Sequence, residues 1–175
     1  MPLFALLQAG CLMAFALLLL AAGWQDLRTM RIANHLSVAI ACAFLGWALA
    51  GLVAGTLVLG DVALAVTCSV GMFFVGALAF AAGALGGGDV KLLAAATLFA
   101  GSSLLPEFLT VVALAGGALG VAILAGAPIG PAAPASDGLP GEGTTVRARL
   151  RGGLPYGPAI AAGGLWVAAH LAGAA

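Results

Sequence analysis

Two carboxylates stand out among the twelve charged side chains of the sequence. Asp26 lies in Gly23-Trp24-Gln25-Asp26-Leu27-Arg28, directly after the first long apolar run, and Asp89 closes Gly86-Gly87-Gly88-Asp89 just before another. Two carboxylates within reach of one water cannot both ionise freely, because repulsion keeps a proton on one of them. The ionised member can then take a proton from water while the neutral one polarises a carbonyl. That is the chemistry of an aspartyl protease, and it needs neither a metal nor a nucleophilic side chain.

Singly, each aspartate has a plainer explanation: Asp89 as the N-cap of the helix that follows, Asp26 as a loop charge balanced by Arg28. The three glycines before Asp89 ask for more. They cost helix stability where polar residues would serve an ordinary loop. They predict a close backbone approach, bringing Asp89 against a neighbouring helix or letting an extended strand of substrate lie beside it.

The elements that must position this pair are set by composition. Of 175 residues, 63% are hydrophobic and 7% charged, a balance that would leave a soluble domain of this size covered in apolar patches. The solvent is therefore a bilayer. A spanning helix needs about 20 apolar residues to cross roughly 30 Å of hydrocarbon. Six runs qualify or nearly so: Leu3 to Gly23, Leu36 to Leu59, Val62 to Leu85, Val90 to Leu105, Phe108 to Ala127 and Tyr156 to Ala172. The fourth is short, reaching only about 24 Å. The expected fold is an all-α, polytopic membrane protein of about six transmembrane helices, forming one membrane-embedded domain over residues 1–175.

Two runs separate Asp26 from Asp89, so an even number of crossings puts both on one face of the membrane. Arg28 and Arg31 fall in the first loop, Lys91 just after the third, and Arg147, Arg149 and Arg151 in the fifth. Basic residues mark cytoplasmic loops, so loops one, three and five are expected in the cytoplasm and both termini outside. The stretch 126–153, with Pro128, Pro131, Pro134 and Pro140, reads as a Pro/Gly-rich cytoplasmic loop within the domain.

Six basic residues offset six acidic ones, which predicts no nucleic-acid partner. Cys11, Cys42 and Cys68 stand alone in apolar runs without metal-ligand spacing, so neither zinc nor a structural disulfide is expected. The first run lacks a basic n-region and reads as a retained span rather than a cleaved signal. Arg28, Arg31 and Lys91 have a ready role as topology determinants and lipid anchors, although Lys91 could also lower the pKa of Asp89. Asn34 is explained by capping of the second span, Tyr156 by interfacial anchoring, and Trp24 and Trp47 by interface or packing. Pairs four apart, Gly51 with Gly55 and Gly116 with Gly120, would let helix backbones approach closely.

Around these residues the chain resembles the type IV prepilin peptidases. That family combines an Asp after an early span, followed by Arg-Ile-Pro-Asn, with a Gly-x-Gly-Asp-x-Lys motif. The first is read in Asp26-Leu27-Arg28-Thr29-Met30-Arg31-Ile32-Ala33-Asn34, with Ala33 where the family usually has Pro. The second is Gly86-Gly87-Gly88-Asp89-Val90-Lys91-Leu92, and a third match is Leu154-Pro155-Tyr156-Gly157-Pro158-Ala159. The resemblance implies a GxGD intramembrane aspartyl protease with Asp26 and Asp89 catalytic. It also implies that Gly86, Gly87, Gly88, Lys91, Arg28, Asn34, Pro155, Tyr156 and Gly157 shape the site or bind substrate. No cofactor is implied. Without the cysteine-motif insert of larger members, the chain looks like the short form associated with Flp/Tad pili, cleaving without methylation. The implied substrate is a prepilin or pseudopilin, cut after a basic leader at the cytoplasmic face of the bacterial inner membrane, with lipid as the other partner.

Two rivals remain at this point. A small transporter or channel subunit would place acidic residues at mid-span, whereas all six here lie at span ends or in loops. A non-enzymatic scaffold of a pilus or secretion complex would leave both aspartates without a task.

Overall fold

The computed structural model describes residues 2–125 and 155–173. The proline-rich stretch 126–153, with Arg147, Arg149 and Arg151, and Leu154 of the third motif lie outside them. The described residues form six helices: α1 (Pro2–Thr29), α2 (Asn34–Ala54), α3 (Leu59–Ala81), α4 (Gly87–Ala100), α5 (Leu105–Leu124) and α6 (Gly157–Gly173). Four of them, α1, α2, α3 and α5, are long and apolar enough to cross a membrane. At 14 and 17 residues, α4 and α6 are shorter.

The spanning helices are apolar all round, as expected where lipid replaces water on the outer surface. Leu17 and Leu20 of α1, Val53 of α2, Phe74 and Leu78 of α3 and Val121 of α5 all point outward. The short α4 is the opposite, with ten of its fourteen residues buried, so it forms the centre of the bundle. It packs on α2, α3, α6 and, more lightly, α5; α1 packs on α2 and α6, and α5 on α6.

Aromatic rings hold the middle of the bundle. Phe15 of α1 stacks on Phe99 of α4 with centroids 4.0 Å apart, while Phe44 and Trp47 of α2 approach the same ring at 5.5 and 5.8 Å. Ser69 of α3 donates to the Ala94 carbonyl of α4 at 2.7 Å, which satisfies a buried hydroxyl and ties those helices together. Consecutive glycines fit α6 between two neighbours: Gly163 meets Phe108 and Val112 of α5, and Gly164 meets Leu19 and Phe15 of α1.

Several expected boundaries move. Helix α1 does not stop near Gly23 but continues to Thr29, so Asp26 and Arg28 lie on its last turns rather than in a loop. At about 1.5 Å per residue its 28 residues run about 42 Å, more than a hydrocarbon core needs. Helix α4 begins three residues before the expected Val90 and ends at Ala100, where Gly101 at φ 58° turns the chain. Of the glycine pairs, Gly51 does meet Gln8 and Leu57 closely. Gly55 instead terminates α2 in the left-handed conformation at φ 74°, a helix stop rather than a packing surface.

Candidate active site

Five segments converge at one end of the bundle: the last turns of α1, the α1–α2 turn, and the starts of α2, α4 and α6. Asp26 is 4% exposed and Asp89 7%. Each has one carboxylate oxygen held by the backbone N–H of a glycine. Gly157, opening α6, donates to Asp26 Oδ2 at 2.8 Å, and Gly86, just before α4, donates to Asp89 Oδ2 at 3.2 Å.

The glycines are needed here for space. A Cβ on Gly157 would sit 2.7 Å from Asp26 Cβ, and one on Gly86 would sit 2.8 Å from Asp89 Oδ2. On Gly88 it would lie 3.0 Å from Ile32 Cβ and 3.3 Å from the Ile32 backbone, so the close approach expected of the glycine run occurs against the α1–α2 turn. Gly87 has only ordinary contact with Phe80. Asp89 is not the N-cap: Gly86 holds that position, and Asp89, three residues on, reaches back to it as the acidic half of a capping box.

Asp89 belongs to a helix outside the four spans, and its carboxyl is raised from the ordinary 3.8 to about 7. Burial is the main cause and the charge of Asp26 the second, while the Gly86 N–H pulls the other way. That the charge of Asp26 acts on Asp89 places the two carboxylates near one another at this end of the bundle. Lys91, which could have lowered the Asp89 pKa, is not among the causes of its shift, and its ammonium is engaged elsewhere. Lys91 is exposed and donates to Asn34 Oδ1 at 2.8 Å.

That bond also corrects the capping role of Asn34. The N-cap of α2 is Ala33, with no side-chain cap, and Asn34 links α2 to α4 instead. Ala33, at φ −71°, adopts the angle that a proline ring would impose, so the turn keeps its course without the ring. Its free N–H donates to Gln25 Oε1 at 3.4 Å, a bond proline could not make. Met30 takes the left-handed conformation at φ 51°, and its N–H closes on the Asp26 carbonyl at 2.8 Å.

The remaining candidates stand further off. Arg28 is exposed, with its guanidinium over the Trp24 ring at 4.7 Å. Pro155 is fully buried. Tyr156 is half-buried beside Gly116 of α5, more a packing residue than an interfacial anchor. It lines an apolar cavity of about 600 Å³ with Leu85, Leu93, Leu109, Gly116 and Gly120. Leu93 lies one turn from Asp89 on the same side of α4, and Leu85 adjoins Gly86, so this cavity borders the aspartates. Among the described residues, no group of three or more His, Cys, Asp or Glu side chains assembles that could hold a metal ion. Gln25 and Ser37, a buried residue of α2, were not singled out from the sequence; the polar Gln25 beside Asp26 was the available signal for the first.

Membrane-length apolar helices that gather two buried aspartates at one end of their bundle make this a helical membrane protein. The chain matches the model of the type IV leader peptidase family over residues 13–121 and belongs to that family. The match contains both aspartates and ends before the α6 segment that supplies Gly157. Comparison with curated proteins and with solved structures returned no match.

Proposed function

We propose that the protein is an aspartyl endopeptidase that removes the basic leader of Flp-type prepilins and pseudopilins at the cytoplasmic face of the inner membrane. The observation that carries this reading is the pair of buried carboxylates at one end of the bundle, each with one oxygen held by a glycine N–H. Family membership favours it over the transporter and scaffold readings.

In the mechanism, Asp89 holds the shared proton and Asp26 is the ionised partner. Asp26 accepts a proton from water as its oxygen adds to the scissile carbonyl, while Asp89 donates to the carbonyl oxygen. Collapse of the tetrahedral intermediate breaks the C–N bond. The proton on Asp26 passes to the departing amine, and Asp89 recovers its own as the carbonyl re-forms. The glycine N–H groups keep each carboxyl plane from turning away. The cavity beside Tyr156 and Leu93 suits the apolar stem that follows the scissile bond. Exposed Arg28, Arg31 and Lys91 support the cytoplasmic orientation and an anionic lipid surface, which would also hold a basic leader.

The reading is tested by co-expressing a prepilin with Asp26→Asn and Asp89→Asn variants and following the leader on a gel. Each variant is expected to leave the precursor uncut; full processing by either would remove that residue from catalysis.

A further inference from the structure

The half-buried side chain of Gln25, the neighbour of Asp26, reaches across the turn between α1 and α2. Its Oε1 accepts from the N–H of Ala33, eight positions further on, at 3.4 Å. No step of the cleavage mechanism uses this amide.

The turn that it holds, residues 30–33, touches both halves of the site. On one side the Met30 N–H closes on the Asp26 carbonyl at 2.8 Å. On the other, Ile32 lies so close to the start of α4 that a Cβ on Gly88 would sit 3.0 Å from Ile32 Cβ and 3.3 Å from both its backbone N and its carbonyl oxygen. Gly88 is the residue before Asp89, as Gln25 is the residue before Asp26. The turn is therefore a spacer, in contact with the helix end that carries one aspartate and the helix start that carries the other.

A spacer works only if its own shape is fixed. Met30 sits in the left-handed conformation at φ 51°, which a residue with a side chain adopts only where its surroundings impose it. Thr29 Oγ1 is 2.9 Å from the Gln25 carbonyl oxygen and 3.0 Å from that of Arg31, with one proton for the two. Beyond the turn, the Lys91–Asn34 bond ties α2 to α4 but neither of them to α1. The Gln25–Ala33 bond makes that remaining connection, from the last turns of α1 to the residue that follows Ile32. Without it the Ala33 N–H loses its acceptor and Ile32 is free to move off Gly88.

We propose that Gln25 is a positioning residue of the aspartate site: by holding the Ala33 N–H it keeps Ile32 against Gly88, and so sets the distance between Asp26 and Asp89. Its effect on cleavage rests on the dyad reading above; its effect on the spacing does not.

Purified wild type, Gln25→Ala, Gln25→Met and Gln25→Ala/Ala33→Pro are compared on a prepilin substrate and in thermal melts. Gln25→Ala is expected to lower kcat about tenfold with KM within about twofold, and Gln25→Met, which keeps the length of the side chain without the acceptor, to do the same. Ala33 already has φ −71° and ψ 134°, so a proline there removes the donor and fixes the same angle covalently. The double variant should therefore recover most of the rate. Wild-type kcat in Gln25→Ala overturns the proposal, as does a double variant that melts no lower than Gln25→Ala yet cleaves no faster.

A second readout does not depend on cleavage and decides the matter if the proline lowers Tm. The protonated Asp89 carboxyl has an infrared C=O band, assigned by its disappearance in Asp89→Asn, whose loss with rising pH has its midpoint at about 7 in wild type. A loosened spacer weakens the influence of the Asp26 charge and admits water, and both lower that midpoint. Gln25→Ala should titrate below wild type, and an unmoved midpoint overturns the spacer. If Asp26→Asn or Asp89→Asn still cleaves, the dyad reading falls and the titration alone decides the Gln25 proposal.

Discussion

The two aspartates are held by the same kind of bond in opposite ways. Asp89 is fixed locally, by the N–H of a glycine three residues earlier at the start of its own helix. Asp26, near the end of a long helix, is fixed by a glycine 131 residues away that opens α6. One half of the site thus forms with α4, and the other is complete only when the last helix packs on the first. Folding and site assembly are coupled at Asp26 and largely independent at Asp89.

Alanine at the two glycines separates these cases. In Gly157→Ala the new Cβ meets Asp26 Cβ, which cannot move without shifting α1 against α6, so processing should fall about a hundredfold with a clear drop in Tm. In Gly86→Ala the new Cβ meets only the tip of the Asp89 side chain, at a backbone conformation of φ −77° and ψ 148° open to any L residue. A loss of about tenfold with little change in Tm is expected there. Initial rates and melts of both variants check the contrast, and equal effects would erase it.

A smaller effect is expected from pH. Folded Asp89 binds its proton more tightly than an unfolded carboxyl with the ordinary value of 3.8. The associated stability is fully present below about pH 4 and is lost as pH rises through about 7. Melting temperatures in detergent should fall across that window for wild type, and the Asp89→Asn variant should lose this part of the slope. Smallest of all is the exposed Lys91–Asn34 bond. Asn34→Ala or Lys91→Ala should cost about 0.5–1 kcal/mol of stability, with processing within about threefold of wild type. A hundredfold loss would move that pair from scaffold into the site.

Much of this site was legible in advance because membrane crossings constrain it. An even number of apolar runs between Asp26 and Asp89 required a common face, and the glycine triplet marked a place where backbones come close. What escaped were partners set by tertiary packing. Asn34 at a helix start has the chemistry of a cap, and only the position of α4 reveals that its side chain serves Lys91. The end of α1 was missed because apolarity stops near Gly23 while helical hydrogen bonding continues through Gln25, Asp26 and Arg28. The third motif brought Gly157 to the site in advance, but not that its backbone N–H donates to Asp26, since no residue type announces a backbone donor.

The central claim is that Asp26 and Asp89 act on a single water as one unit, and the double variant tests it most directly. Members of a catalytic unit are not additive, so Asp26→Asn/Asp89→Asn should cleave a prepilin no more slowly than either single variant, each of which already loses about three orders of magnitude. If the double variant instead multiplies the two single losses, or if one single variant retains the wild-type rate, the two carboxylates do not work together.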